Sequence, residues 1–238
     1  MNPLSRLRVV LVASRNPLNI GAAARAMSNF GCPLLRVVNP YEPAFREARS
    51  AEGAAELLAK AEVYAEVGEA VADCTLVVGT TAVRHRVLQQ PLHRLDYGAR
   101  LIRARLRSSG VALLFGSERV GLSNEDMSHC HWLINIPTDE EHISMNLGQA
   151  VAVCLYELAR SEKGGAGAPK KELAKGEDVE RITGMLDEAL RASGYPGPAG
   201  ANALKIRRLI RRMNLSAADA EVWLGILHQI LWKVRSQR

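Results

Sequence analysis

The chain has 238 residues, of which 47% are hydrophobic and 24% charged, as is typical of one folded domain with a small appendage. No apolar run approaches the roughly 20 residues that span a bilayer, and the start of the chain shows no signal-peptide pattern. The four cysteines are far apart and form no CxxC pair, so we expect reduced thiols in a cytoplasmic protein outside membranes.

The net charge of +6 is concentrated at one end of the chain. Residues 201–238 contain eight Lys or Arg against two acids, whereas the preceding 200 residues contain 23 charges of each sign. A local basic excess attracts polyanions at long range, but it is also typical of a solvated helix face. Charge alone leaves both interpretations open.

Predicted strands and helices alternate along the first 160 residues. Near-continuous apolar, β-branched runs predict strands buried on both faces at residues 7–13, 34–38, 75–78, 111–115 and 133–136. Helical spacing and composition predict helices at residues 19–30, 51–60, 96–107 and 146–160. This alternation predicts an α/β fold with a mostly parallel sheet.

The last third of the chain has a different organisation. Residues 161–176 are rich in Gly, Ala and Lys, and predict a flexible linker between a domain at 1–160 and an extension at 177–238. The extension predicts helices at 177–192 and 202–213, and a third from Ser216, its N-cap, to about residue 234. The apolar face of this third helix comprises Trp223, Leu224, Leu227, Ile230 and Leu231, so we interpret Trp223 as a packing residue.

Glycines and polar residues follow the predicted strands, at the edge where open α/β sheets bind ligands. Glycines let the backbone approach a ligand closely, and backbone N–H groups bind it. The first strand leads to Asn19 and Arg25, the third to residues 79–82 (GTTA), the fourth to residues 116–122 (GSERVGL), and the fifth to residues 144–146 (SMN).

Taken singly, each of these loops has a plain structural alternative. Residues 79–82 are also typical of a simple turn, and Ser144 and Asn146 are residue types that cap helices. Arg25 is equally consistent with a surface side chain, and Glu118 with Arg119 is consistent with a surface ion pair.

Several common chemistries lack their motifs. No segment matches the GxGxxG or GxxxxGK[ST] fingerprints, and Ser117 lies in Gly-Ser-Glu rather than in GxSxG. Residues 129–131 (HCH) have no second ligand pair at zinc-finger or ribbon spacing. We interpret them as the entry to a strand, with no metal.

Taken in order, the loops resemble a known family. Asn19-x-Gly21-x-x-x-Arg25, residues 115–122 (FGSERVGL), and Ile136-Pro137 followed by residues 144–146 are similar to the three motifs of the SpoU/TrmH class of SPOUT RNA 2′-O-methyltransferases. The resemblance covers residues 5–160. Within the class, residues 76–80 (LVVGT), the GxERVGL loop and the basic helical tail are most similar to the TrmJ branch, the tRNA (cytidine/uridine-2′-O)-methyltransferases.

The resemblance implies a fold that the residue patterns do not give. It implies an α/β fold whose mostly parallel sheet has a deep C-terminal trefoil knot, followed by a small all-helical C-terminal extension. General topology rules would reject such a knot. The resemblance also implies a homodimer with each active site near the subunit interface, and a two-fold interface uses the same patch on both chains.

The resemblance also assigns site residues. Arg25 matches the catalytic arginine, and the other matching catalytic-site positions are Asn19, Glu118, Ser144 and Asn146. The implied methyl donor is S-adenosylmethionine (AdoMet), which leaves as S-adenosylhomocysteine, and no metal is implied. Its implied binding residues, acting mainly through backbone groups, are Thr80, Thr81, Ala82, Gly116, Ile136, Ser144, Met145 and Asn146.

Two features depart from the family's pattern. Met145 stands where the family usually has Leu, a swap that nearly conserves volume. Residues 137–143 (PTDEEHI) are acidic, which is unexpected beside an RNA site.

The implied reaction methylates a ribose 2′-hydroxyl, which must lose its proton as it attacks the methyl carbon. Arginine is a poor general base, because its pKa lies above about 12 and the side chain therefore stays protonated near neutral pH. The family gives Arg25 the role of helping to deprotonate the hydroxyl, and the alternative is that it only stabilises the developing alkoxide. Ser144 and Asn146 either orient the ribose or cap a helix.

The basic extension is expected to bind RNA. Lys205, Arg207, Arg208, Arg211 and Arg212 include positions one helical turn apart, which predicts a basic stripe that contacts phosphates. In the TrmJ branch the implied target is cytidine or uridine 32, the first nucleotide of the tRNA anticodon loop. The alternatives are an rRNA 2′-O-methyltransferase of the same class and a non-catalytic RNA-binding factor on the same fold.

Overall fold

A computed structural model of the chain describes residues 4–48, 54–82, 88–160, 172–194 and 199–236, and at 199–202 the backbone alone. The strands are β1 (Leu7–Val12), β2 (Leu34–Val38), β3 (Glu62–Tyr64), β4 (Leu76–Thr80), β5 (Leu92–Arg94), β6 (Val111–Phe115) and β7 (Trp132–Asn135). They form one sheet in the order β3-β2-β1-β6-β4-β7-β5, and every pair of neighbouring strands is parallel.

Helices cover both faces of the sheet and form the C-terminal extension. The helices of the first 160 residues are α1 (Pro17–Asn29), α2 (Glu42–Ala48), α3 (Ala55–Ala59), α4 (Val67–Ala70), α5 (Leu95–Leu106), α6 (Asn124–Ser128) and α7 (Leu147–Ala159). The extension contains α8 (Gly176–Ala192), α9 (Ala199–Met213) and α10 (Ala217–Arg235). No helix in the described ranges is long and apolar enough to cross a bilayer.

The sheet is buried on both faces because successive side chains of a strand point to opposite sides. In β1, Val9 and Leu11 belong to an apolar cluster with α1, α5 and α7, whereas Val10 and Val12 belong to a second cluster with α4 and α6. The continuous apolar strand sequences therefore reflect burial on two sides, as predicted.

The predicted elements are present, with ends within three residues of the prediction, except for the helix predicted at 51–60. There the structure has Ala55–Ala59, and residues 51–53 lie outside the described ranges. Strands β3 and β5 were not predicted because each has three residues, without an apolar run, at an outer edge of the sheet. The short helices α2, α4 and α6 were also missed.

Part of the predicted linker is structured. The N–H of Ala174 donates to the carbonyl of Leu215 at 3.0 Å, and the N–H of Ala217 donates to the carbonyl of Glu172 at 3.0 Å. The prediction of a flexible linker is therefore wrong for residues 172–176, because backbone groups make these contacts whatever the side-chain composition. Residues 161–171 lie outside the described ranges.

The extension has its own apolar core, which includes Ile182, Ile210 and Leu227. Trp223 packs partly buried against this core, which confirms its interpretation as a packing residue. Ile230, expected on the same apolar face, is 43% exposed, so that prediction is wrong. The buried residues of α10 are Ala220, Leu227 and Leu231, which lie on one face of the helix at helical spacing, and Ile230 lies at the edge of that face.

The extension packs against the α4 and α6 side of the sheet. The N–H of Glu177 donates to the carbonyl of Ala72 at 2.7 Å. A β-carbon at Gly176 would overlap the carbonyl oxygen of Val71, so only glycine permits this approach.

The helices α1 and α7 cross closely on the other face of the sheet. A β-carbon at Gly148, in the first turn of α7, would lie 2.5 Å from the Cβ atom of Ala22 in α1. Ile20 and Val151 are fully buried in the cluster around this crossing. The crossing brings the start of α7 to the segment that carries Asn19 and Arg25.

An ion cluster ties β1 and β2 to the segment before β4. The carboxylate of Asp73 lies 2.7 Å from Arg8 and 2.5 Å from Arg36, whose side chain is largely buried. Burial by itself raises the pKa of Asp73, but the hydrogen bond and charge of Arg36 outweigh it and lower the pKa from 3.8 to about 2.

We expect Gly148→Ala to lower the free energy of unfolding by about 1–3 kcal/mol, because the added methyl group overpacks the crossing of α1 and α7. The matched control is Gly184→Ala, since in the described part of the chain no atom apart from the local backbone of its own helix lies within 4 Å of a β-carbon there. That control should raise the free energy of unfolding by about 0.5–1 kcal/mol. Urea unfolding of both variants checks the pair, and an equal effect of the two would contradict the close crossing.

We expect Asp73→Asn to destabilise the protein in a pH-dependent way. A carboxylate with a lowered pKa stabilises the fold above its ordinary pKa of 3.8, and this is lost as the pH falls towards about 2. The difference in unfolding free energy between wild type and variant should be constant at neutral pH and shrink below about pH 4. Urea unfolding at a series of pH values measures it, and a pH-independent difference would contradict the ion cluster.

Candidate functional site

The turn between β1 and α1 sets the direction of the helix that carries Asn19 and Arg25. Ala13 adopts a φ of 51°, an uncommon backbone conformation for a residue with a side chain. The side chain of Asn16 caps the helix by accepting from the N–H of Leu18 at 2.9 Å, and Pro17 is the first helical residue. The Asn16-Pro17 pair is a helix-start signal, and α1 accordingly begins two residues before the predicted start at residue 19.

The loop after β6 is a tight turn that presents Glu118. The N–H of Gly121 donates to the carbonyl of Ser117 at 2.8 Å, and Gly121 has a φ of 70°. A β-carbon on Gly116 would overlap the backbone of Gly121. Gly116 is therefore required by the shape of its own loop, whatever ligand lies nearby.

The carboxylate of Glu118 accepts hydrogen bonds from three donors at the start of α1. The backbone N–H groups of Arg15 and Asn16 each donate at 3.3 Å. The side-chain amide of Asn19 donates at 3.1 Å. Glu118 is thus bonded to the β1–α1 turn and not, as the alternative had it, paired with Arg119.

Asn146 extends this chain of hydrogen bonds to a second helix. Its Nδ2 donates to Oδ1 of Asn19 at 2.7 Å, while its own Oδ1 accepts from the N–H groups of Gly148 and Gln149 at 2.9 and 3.4 Å. Asn146 therefore caps α7 and holds Asn19 at the same time. Ser144 lies two residues before this cap and is exposed, so it is not the capping residue of α7.

The structure brings together Glu118, Asn19 and Asn146, which the motifs predicted separately. Arg25 lies on the exposed face of α1, six residues beyond Asn19, or about 9 Å along the axis at 1.5 Å per residue. The three polar residues fix the start of α1, and the helix carries Arg25. Their hydrogen bonds join the β1–α1 turn to the loop after β6 and to the start of α7.

Five of the predicted cofactor residues lie at the carboxyl ends of β4, β6 and β7, which are neighbours in the sheet: Thr80, Thr81, Ala82, Gly116 and Ile136. The other three, Ser144, Met145 and Asn146, lie directly before α7. The hydroxyl of Thr80 donates to the carbonyl of Leu114 at 2.9 Å, and the N–H of Thr81 donates to the carbonyl of Ile134 at 2.9 Å. These bonds hold the three strand ends at one edge. The side chains partly exposed there are Thr80, Thr81, Ala82 and Ile136.

This donor set fits a cofactor bound mainly through backbone groups and apolar contact. The side chains named at the strand ends are two threonine hydroxyls and the apolar groups of Ala82 and Ile136, with no carboxylate pair or thiol among them. The acidic residues Asp139, Glu140 and Glu141 follow β7 and are exposed. The N–H of Glu141 donates to the carboxylate of Asp139 at 2.9 Å, so these acidic side chains belong to an exposed turn beyond β7.

The residues at 129–131 are buried between α6 and β7. The N–H of Val77 donates to Nδ1 of His131 at 3.1 Å, and burial lowers the pKa of His131 to about 3. Burial also raises the pKa of the Cys130 thiol to about 12. His131 is therefore neutral and Cys130 inert, and the described residues contain no group of three or more metal-ligating side chains.

The predicted basic stripe on α9 has two faces. The side chain of Arg211 is fully buried and lies 2.8 Å from Glu180, and that of Arg207 is 20% exposed and lies 3.3 Å from the same carboxylate. The expectation that all five basic residues contact RNA is wrong for Arg211, because no phosphate can reach a side chain inside the protein. Lys205 and Arg212 are exposed, and Arg208 is partly exposed.

Comparisons with known proteins agree with this arrangement. The SpoU rRNA Methylase family matches residues 6–156. The tRNA (cytidine/uridine-2′-O-)-methyltransferase TrmJ of Yersinia pestis (strain Pestoides F) is 36% identical, across 95% of this chain and 92% of that protein. The protein of the same name from Salmonella typhimurium (strain LT2) is 35% identical, across 95% of this chain and 97% of that protein.

Solved structures extend the likeness to the C-terminal helices. TrmJ from Z. mobilis ZM4 has a TM-score of 0.82 and 32% identity, covering 94% of this chain and 98% of that one. A methylase family protein from Haemophilus influenzae Rd KW20 has a TM-score of 0.61 and 29% identity, covering 99% and 100%. The family match spans more than half of the chain, and this chain belongs to the SpoU rRNA Methylase family.

Proposed function

We propose that this protein transfers a methyl group from AdoMet to a ribose 2′-hydroxyl of tRNA. The observation that carries the proposal is the hydrogen-bonded chain from Glu118 through Asn19 to Asn146, which joins all three family motifs at one end of α1. A set of unrelated turn and cap residues would give no reason for the motifs to meet.

In this proposal AdoMet supplies the electrophilic methyl group, and the protein supplies orientation and charge. Residues 80–82, Gly116, Ile136 and the segment at 144–146 hold the cofactor at the strand ends, inside the knot that the family resemblance implies. Arg25 faces the 2′-hydroxyl and helps it lose its proton or stabilises the resulting alkoxide. Glu118, Asn19 and Asn146 act as positioning residues that set the direction of Arg25. No metal takes part.

We propose tRNA rather than rRNA as the substrate because of how much of the chain each comparison covers. The TrmJ proteins of Yersinia and Salmonella, named as tRNA enzymes, cover 95% of this chain, including the basic extension. The family name refers to rRNA, but its match ends at residue 156, before the extension. We propose nucleotide 32 as the target, a homodimer as the active form and the cytoplasm as the location.

The test incubates the protein with bulk tRNA, or with rRNA, and AdoMet labelled in its methyl group. Nuclease digestion then maps the 2′-O-methyl mark. Label at nucleotide 32 supports the proposal, and label at another tRNA nucleotide would replace the position while keeping the reaction. AdoMet binding with label only on rRNA would favour the rRNA enzyme. AdoMet binding with no transfer to either RNA would favour the non-catalytic factor.

We expect Arg25→Ala to lower kcat for tRNA methylation by about 100- to 1000-fold, the usual effect of removing one group that stabilises a developing oxyanion. AdoMet affinity should not change, because Arg25 is not among the proposed cofactor residues. Single-turnover transfer of the labelled methyl group measures the rate. An unchanged rate would remove Arg25 from the catalytic role.

Arg25→Lys distinguishes the two roles of the arginine. A lysine has an ordinary pKa near about 10.4, well below that of arginine. If the side chain takes the proton, the pH profile of kcat should move to lower pH in Arg25→Lys. If the side chain acts only by its charge, the profile should keep its shape while the rate falls, because lysine lacks the guanidinium fork.

We expect the exposed face of α9 to account for part of the salt dependence of tRNA binding. The double variant Lys205→Gln/Arg212→Gln should reduce the slope of log Kd against log salt by about 2, or about 1 per lost phosphate contact. The matched control, Arg46→Gln/Lys60→Gln, removes two exposed charges from the methyltransferase domain. Filter binding at four salt concentrations measures both slopes, and equal slopes would show that the face of α9 does not meet RNA.

A further inference from the structure

The contact between the extension and the methyltransferase domain contains one central carboxylate. Glu180, in α8, lies 2.8 Å from Arg211 and 3.3 Å from Arg207, both in α9. Oε1 of Glu180, the oxygen that meets Arg211, also lies 3.4 Å from Nδ1 of His129, which directly follows α6. The side chain of Glu180, in α8, therefore contacts a second helix of the extension, α9, and one residue of the methyltransferase domain.

Glu180 is the counter-charge of a buried arginine, so replacing its carboxylate by a neutral group is costly. Arg211 has a fully buried side chain, and its Nε and Nη1 atoms have no hydrogen-bond partner in the described part of the chain. Its Nη2 donates to Glu180 at 2.8 Å. Removing the carboxylate leaves a buried guanidinium without its counter-charge, which is more costly than losing an exposed pair.

The second arginine completes the connection between the two units. Nη1 of Arg207 donates to the hydroxyl of Ser128 at 3.1 Å, and Ser128 is the last residue of α6. The N-cap of α6 is Ser123, which directly follows the loop that presents Glu118. The extension is thus attached to the helix that continues from the site loop.

This arrangement determines which face of α9 is exposed. Arg207 and Arg211, one turn apart, point inward to Glu180, so the residues at positions 205, 208 and 212 face outward. If the extension were free to rotate, the same basic residues would meet RNA in many orientations.

We infer that Glu180 is a positioning residue for the tRNA substrate: by holding Arg207 and Arg211 against Ser128 and His129, it fixes the extension on the methyltransferase domain and sets the place of the exposed basic face of α9. This inference rests on the proposed function for its substrate. The docking of the extension itself does not depend on that function.

The experiment compares Glu180→Gln with Glu188→Gln in the full chain. Glu188 lies on the same helix and pairs with Arg235 at the exposed surface, so it controls for loss of one helix carboxylate. Glu180→Gln should raise the KM for tRNA by about tenfold with a smaller effect on kcat, because orientation of a remote binding surface is lost. AdoMet affinity should be unchanged, and Glu180→Asp should recover part of the loss.

Amide hydrogen exchange tests the docking without any activity. Glu180→Gln should speed exchange in α6 and at the start of α8, whereas Glu188→Gln should match the wild type. If the wild type fails to methylate tRNA, the proposed function fails while the exchange data still decide the docking. If both variants match the wild type in exchange and in KM, or if kcat alone falls, the inference is overturned.

Circular dichroism establishes first that each variant is folded. If Glu180→Gln does not fold, Ser128→Ala takes its place, since that change removes the hydroxyl that accepts from Arg207 and leaves the ion pairs of Glu180 with Arg207 and Arg211 intact. It should move exchange in α6 and the KM for tRNA in the same direction by a smaller factor. No change in either quantity would overturn the inference.

Discussion

The carboxylate of Glu118 is the interaction on which the candidate site depends. It accepts two backbone N–H groups and one side-chain amide, and all three donors lie within five residues of the start of α1. Backbone donors are present whatever the sequence of the turn, so specificity comes from the acceptor and the loop that delivers it. Gly116 and Gly121 give that loop its shape. The β1–α1 turn that Glu118 holds then sets the direction of α1 and of Arg25 on it.

The second requirement is that α1 and α7 lie close enough for Asn19 and Asn146 to meet. The hydrogen bond between the two side chains is 2.7 Å long, and Gly148 stands two residues beyond it at the closest approach to Ala22. A larger residue at the crossing would separate the two asparagines as well as the two helices. The packing of the core and the geometry of the site are therefore parts of one constraint.

Much of the fold and part of the site were predictable from the sequence. The five buried strands were found because burial on both faces leaves a continuous apolar run, and the edge strands β3 and β5 were missed because they carry no such signal. The motif positions 19, 118 and 146 were named, but their mutual hydrogen bonds were not, since residues 99 and 127 apart along the chain give no local pattern.

The alternatives for Ser144 and Asn146 were open for a related reason. Both residue types cap helices, and sequence alone does not say which one stands at the first free N–H groups. The structure assigns the cap to Asn146, and shows that capping and contact with Asn19 use different atoms of one amide. A structural role and a site role are therefore compatible in Asn146, because its Oδ1 caps α7 while its Nδ2 contacts Asn19.

The extension shows how composition misleads about binding. The eight basic residues at 201–238 predict a strongly cationic surface, but Arg207 and Arg211 are paired with Glu180, and Arg235 lies 2.5 Å from Glu188. The buried pair also carries a desolvation cost that its Coulomb attraction must offset, so its presence is weak evidence for added stability. The pair does fix a single orientation of the extension, because the buried guanidinium of Arg211 must lie beside the carboxylate of Glu180. The exposed basic residues of α9 owe their position on the molecule to the two inward-facing arginines, of which Arg211 is fully buried and Arg207 is 20% exposed.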